Sequence, residues 1–191
     1  MRDLVEREWS GYPINNRSDY GITWGYANRG AHEICIRRGY TAGLYTGHQS
    51  GEWMGIHCFA DGSGVWMDIP GWEVRSQSGW NISSTDPNKL YPMNANVVGT
   101  SLCMQRGYGA GFMNGHHDPG NDLYGVVCTP AERTGEFLFK TDTAPHFWSW
   151  VSHRLTALGE CNRQGFATGV IMGYVYDGPS RWHFSRVKCF R

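Results

Sequence analysis

The densest cluster of side chains able to hold a metal or move a proton is His116, His117 and Asp118. Imidazole and carboxylate groups are zinc donors and general-base partners, so the cluster offers hydrolysis at a single His/Asp site. Successive residues of a strand point to opposite faces, however, and three consecutive side chains cannot converge on one ion from a regular strand. The matching stretches elsewhere carry His48, Gln49 and Ser50, or Tyr174, Val175 and Tyr176, so the chemistry is not copied along the chain. No metal or cofactor is expected. A Gly-x-Ser-x-Gly nucleophile elbow is missing from the sequence, and Glu52, Asp61, Asp68, Asp122 and Glu136 form no recurring carboxylate pair. The expectation is a protein that is not an enzyme, with the single-site hydrolase as an alternative.

What is copied is a longer phrase. Residues 35–49 read CIRRGYTAGLYTGHQ, 103–117 read CMQRGYGAGFMNGHH and 161–175 read CNRQGFATGVIMGYV. Aligned on their cysteines, they bring into register Gly39, Gly107 and Gly165, then Gly43, Gly111 and Gly169, then Gly47, Gly115 and Gly173. The last glycines are followed by His48, His116 and Tyr174, flat rings with polar atoms that can stack on a sugar and hydrogen-bond to it; equally, such a glycine can mark a bulge whose ring fills the core. A basic column precedes the first glycines, with Arg38 and Arg106 its clearest members. Those guanidiniums either bond the last carbonyls of a helix or offer a fork to an acidic sugar. Gln49 and Trp53 add a polar group and an apolar platform beside His48, and His116, His117 and Asp118 do the same in the second copy.

Each copy also carries a second cysteine: Cys35 with Cys58, Cys103 with Cys128, and Cys161 with Cys189. Six cysteines without a Cys-x-x-Cys spacing point to disulfides within the copies, each worth about 3 to 3.5 kcal/mol by the chain-entropy treatment. Six buried thiols in a reducing compartment are the other reading. The pairing favours a secreted, extracellular protein.

Elements that position these residues follow from periodicity. Phe147, Trp150, Val151, Leu155, Leu158 and Cys161 recur at helical spacing after Asp142 or Thr143, with Pro145 in the first turn and Gly165 as the stop. Shorter helices are expected from Asn94 to Arg106 and from Gly25 to Arg38. A glycine-rich strand, a turn and a strand with the second cysteine follow each helix; 64–70 and 135–141 supply a third strand in two copies. The fold class expected is α+β, a pseudo-threefold repeat domain whose units cannot bury their apolar faces alone; an all-β trefoil or prism is the alternative. One domain spans 1–191 with repeats at about 19–71, 87–141 and 143–191. Residues 72–90 form a surface insertion, and 1–18 is an N-terminal segment able to complete the third repeat.

Composition sets the remaining bounds. With 17 basic and 17 acidic residues in 191, the chain lacks the positive excess that phosphate backbones demand, so nucleic acid is not an expected partner. No apolar run is long enough to span a membrane. Gly 26, Trp 9 and Tyr 10 suit tight turns that display rings. The plan of three small disulfide-linked units resembles secreted lectins and the receptor-binding domains of toxins. That resemblance implies a binding module for cell-surface glycans, with up to three equivalent sites, or for a protein receptor engaged by the tryptophan-rich 72–90 segment.

Overall fold

The computed structural model describes residues 2–6, 24–50, 53–77, 92–141, 150–177 and 182–191. In chain order the elements are β1 (Arg2–Glu6), α1 (Trp24–Arg37), β2 (Ala42–Ser50), β3 (Trp53–Phe59), β4 (Val65–Pro70), α2 (Gly71–Gln77), α3 (Pro92–Gln105), β5 (Ala110–Asp118), β6 (Leu123–Thr129), β7 (Thr134–Thr141), α4 (Trp150–Arg163), β8 (Thr168–Asp177) and β9 (Trp182–Phe190), with a 3-10 turn at Ala131–Arg133. Helices and antiparallel sheets together make the α+β class, which overturns the all-β alternative. The expected N-terminal signals of α4 and most of the 72–90 insertion lie outside the described residues. Residues 71–77, at the insertion's start, are helical.

The first glycine of the copied phrase ends a helix. Gly39, Gly107 and Gly165 adopt φ of 81°, 84° and 78°, a left-handed conformation that costs glycine little. Around each, the amide of the residue after the glycine bonds back across the last turn: Tyr40 to Cys35 O at 3.0 Å, Tyr108 to Cys103 O at 3.0 Å, Phe166 to Cys161 O at 2.8 Å. This is the Schellman closure, in which an apolar residue after the glycine folds back on the helix. Tyr40, Tyr108 and Phe166 pack on three separate hydrophobic clusters in this way.

The second glycine makes room for a disulfide. Cys35–Cys58, Cys103–Cys128 and Cys161–Cys189, at separations of 23, 25 and 28 residues, tie the last turn of α1, α3 and α4 to β3, β6 and β9. Gly43, Gly111 and Gly169 stand opposite Cys58, Cys128 and Cys189 on the neighbouring strands. A Cβ at any of the three would run into the sulfur of the helix cysteine. The third glycine sits where the hairpin register breaks, between Tyr45 and Gln49, Met113 and His117, and Ile171 and Gly173. Gly115 takes φ of 82° at its bulge.

Three antiparallel sheets result, ordered β1-β3-β2, β4-β6-β5 and β7-β9-β8. The N-terminal strand pairs with β3 (Arg2 opposite His57, Glu6 opposite Trp53), while β9 takes its outer partner from β7. Arg2–Glu6 therefore completes the first sheet, not the third as its sequence position suggested, and the strands expected at 64–70 and 135–141 as parts of the first and second copies complete the second and third sheets.

Helices bridge the sheets. Besides its own sheet, α1 packs on β5, α3 on β8 and α4 on β2, which closes a ring of contacts. Asn28 Nδ2 donates to Met113 O at 3.3 Å, and Asn96 Nδ2 donates to Ile171 O at 3.0 Å, across two of these seams. The corresponding residue of α4 is Arg154, only 4% exposed, whose Nη1 and Nη2 have no acceptor. Burial lowers its pKa to about 9, with Tyr45 acting weakly in the other direction. All three sheets contribute to one central cluster, where the rings of Phe59, Phe112 and Phe190 lie 5.7 to 6.0 Å apart.

Candidate functional site

The His116–His117–Asp118 cluster disperses on folding. After the bulge at Gly115, His116 turns toward β4, where its ring meets Trp66 edge-on at 5.2 Å, and its amide donates to Asn114 Oδ1 at 2.9 Å. His117 stacks on its cross-strand neighbour Tyr124 at 4.5 Å. Asp118 accepts from the Asn121 side chain at 2.7 Å and the Gly120 amide at 2.9 Å, closing the DPGND turn. Those bonds, the one from the Asn121 side chain foremost, hold its carboxyl below the usual range. Among the described residues, no group of three His, Cys, Asp or Glu side chains is placed to hold a metal.

Arg106 performs the helix-end role. Its Nη1 donates to Leu102 O at 3.1 Å and its Nη2 to Glu73 at 2.8 Å, binding α2 to α3. Arg38 is exposed after α1, and its amide takes part in that helix's closure. His48, Gln49, Trp53 and Tyr174 lie on β2, β3 and β8 at or near the bulges, but their side chains are outside the described residues.

Trp66 joins His116 to a residue the sequence did not flag. His32, on α1, meets Trp66 edge-on at 4.5 Å and is 3% exposed, with neither ring nitrogen hydrogen-bonded. Desolvation, reinforced by His116 and opposed by Glu33, lowers the His32 pKa to about 4. The seam between α1 and the second sheet is therefore lined by rings in mutual contact.

The seam between α3 and the third sheet is open instead. A cleft of about 560 Å³ runs there, with apolar walls from Val97, Met104 and Met172 and polar groups from Ser101, Gln105, Glu136, Arg186 and Lys188. Lys188 Nζ lies 2.7 Å from Glu136 Oε2, whereas Arg186 Nε approaches Glu136 Oε1 only to 3.9 Å. Ser101 donates to Gln77 at 2.8 Å and Thr100 to Gly111 O at 2.8 Å, which orients the α3 wall.

Of the cleft residues, sequence reasoning noted only Glu136, as one of several scattered carboxylates. A usable signal lies in the strands bearing the second cysteines: FSRVKC has Arg and Lys where MGIHC and YGVVC have Gly then His or Val. Comparison with known protein families, characterised proteins and solved structures finds no match for this chain.

Proposed function

We propose that the protein is a secreted, non-enzymatic binding module for carbohydrate, built from three disulfide-linked units of one design, with the cleft between α3 and the third sheet as its ligand site. The cleft carries the reading: saccharides present apolar faces edged by hydroxyls, and here apolar side chains alternate with oriented hydrogen-bonding and charged groups. Three disulfides suit an oxidising compartment, and no described helix is long and apolar enough to cross a membrane. Trp66 occupies the position that corresponds to Glu136 of the cleft one sheet earlier, which argues against three equal sites. His116, His117 and Asp118 each engage a separate partner, so the cluster lends no support to the hydrolase alternative.

Screening the oxidised protein on a broad glycan array tests this, together with Lys188→Val, which installs the residue that Val127 provides in the second sheet. Saturable binding to one sugar class, lost in the folded variant, is expected. Binding that survives Lys188→Val but fails in His48→Ala or Tyr174→Ala would move the site to the ring column after the third glycines. One observation favours a protein receptor as a second reading: Trp72, at the start of α2, is 66% exposed. Under that reading, Trp72→Ala abolishes receptor capture and glycans are not bound.

A further inference from the structure

Resting on the carbohydrate reading, we infer that the cleft between α3 and the third sheet selects saccharides bearing an anionic group, a carboxylate or a sulfate ester, and that Arg186 is the residue that reads it. The charge balance of the cleft is the first argument. Arg186 and Lys188 face one carboxylate, Glu136, which leaves one positive charge in excess among the lining residues.

Ion-pair geometry decides which cation is available. Lys188 is only 14% exposed and lies 2.7 Å from Glu136, so its charge is spent within the protein. The Arg186 side chain is 49% exposed, and its approach to Glu136 at 3.9 Å is beyond hydrogen-bond length. It makes no second ion pair among the described residues. A guanidinium presents parallel N–H groups that match a carboxylate or sulfate in a bidentate manner, and it loses little hydration in doing so.

The other two sheets act as internal controls on whether the scaffold needs these charges. Gly55, Gly125 and Arg186 each stand three residues before the second cysteine of their sheet, and His57, Val127 and Lys188 stand immediately before it. Across the strand pairing, Lys188 faces Glu136, Val127 faces Trp66 and His57 faces Arg2. In the second sheet a side chain at the glycine would collide with Asn114 Oδ1 and the His116 Cβ. The third sheet has Met172 in place of Asn114, and Arg186 occupies the position that glycine holds twice elsewhere. Folding is thus achieved in two sheets without the arginine, and its half-exposed guanidinium lines an open seam.

The test uses the full oxidised chain on an array of matched glycans: neutral cores, the same cores capped by sialic or uronic acid, and the same cores carrying a sulfate ester. Wild-type protein is expected to prefer acidic members over their neutral cores by about tenfold or more, with affinity falling as salt rises. The carboxylate and sulfate arms identify which group is read. Arg186→Gly, the residue native to the other two sheets, is expected to lose that preference while still binding the neutral core weakly, and Arg186→Lys to recover it only in part. Circular dichroism and intact disulfides establish that both variants fold. Equal binding of neutral and acidic members, or an unchanged preference in Arg186→Gly, overturns the inference while leaving the carbohydrate reading in place. No glycan binding at all overturns both.

Discussion

Replacing His32 with leucine should remove most of the acid sensitivity of the seam between α1 and the second sheet. The substitution has a precedent inside the molecule, because Leu158 occupies the same place before the cysteine of α4 and Thr100 does so in α3. In the native protein the His32 imidazole is held neutral, with a pKa lowered from 6.5 to about 4 by burial and by His116. An unfolded chain takes up that proton below about pH 6.5. Between these values the unfolded state binds more protons than the native state, so stability falls as the solution is acidified. The contribution is fully present above pH 6.5 and is lost as the pH drops toward 4. At about 1.4 kcal/mol per pH unit, the gap from 6.5 to about 4 corresponds to roughly 3 kcal/mol.

Guanidinium unfolding at pH 7, 5.5 and 4, with disulfides intact, measures the effect. Carboxylates and other histidines also titrate in this range, so the informative quantity is the difference in pH dependence between wild type and His32→Leu. The variant should be at least as stable at pH 7, because two buried ring nitrogens without partners are removed. At pH 4 it should exceed wild type by about 2 to 3 kcal/mol more than it does at pH 7. Parallel pH profiles for the two proteins would refute the reasoning and show that the His32 nitrogens are hydrated or bonded.

Two further substitutions probe the scaffold. Gly111→Ala drives a Cβ into the Cys103 sulfur and should cost about 3 kcal/mol or prevent the Cys103–Cys128 bridge, as read by thiol titration; Gly39→Ala, with open space but φ of 81°, should cost only about 1 kcal/mol. Equal losses would mean that backbone conformation, not disulfide clearance, governs both sites. Arg154→Met exchanges a buried guanidinium whose Nη1 and Nη2 have no acceptor for an apolar chain of similar length, and stability should hold or rise by about 1 to 4 kcal/mol. A loss of similar size would show that the charge has a partner.

Much of the scaffold was legible because it rests on local physics written more than once. The expected helix ends at Arg38, Arg106 and just before Gly165 lie within a residue or two of the observed ends at Arg37, Gln105 and Arg163. A left-handed glycine after an amphipathic run leaves little freedom there. Pairing each helix cysteine with the strand cysteine of the same copy was likewise a local inference, and all three bridges follow it. The N-terminal strand was misplaced because position in the chain does not reveal which edge of a sheet is open. Arg2–Glu6 joins β3, and the edge of β9 is already taken by β7. The cleft was illegible for a similar reason. Glu136, Lys188 and the α3 wall meet only through strand pairing and helix packing across a seam, and their spacing in sequence says nothing of it.

Folding itself accounts for most of the copied phrase, and this narrows where function can lie. Its cysteine pins the helix, its first glycine ends the helix, its second clears the disulfide and its third sits at the bulge. Residues that recur in all three copies are thereby explained by the scaffold and are poor candidates for recognition. Arg106, for which the sequence offers either a helix-end role or a ligand-binding one, bonds Leu102 O and Glu73 and so braces α2 against α3. The positions that differ between copies are where the seams acquire distinct characters: Trp66 against His32 in one, Glu136 with Arg186 and Lys188 in another. Such divergence is tolerated because each seam is held by its own disulfide-linked helix, so one seam can hold aromatic rings while its neighbour remains open and charged.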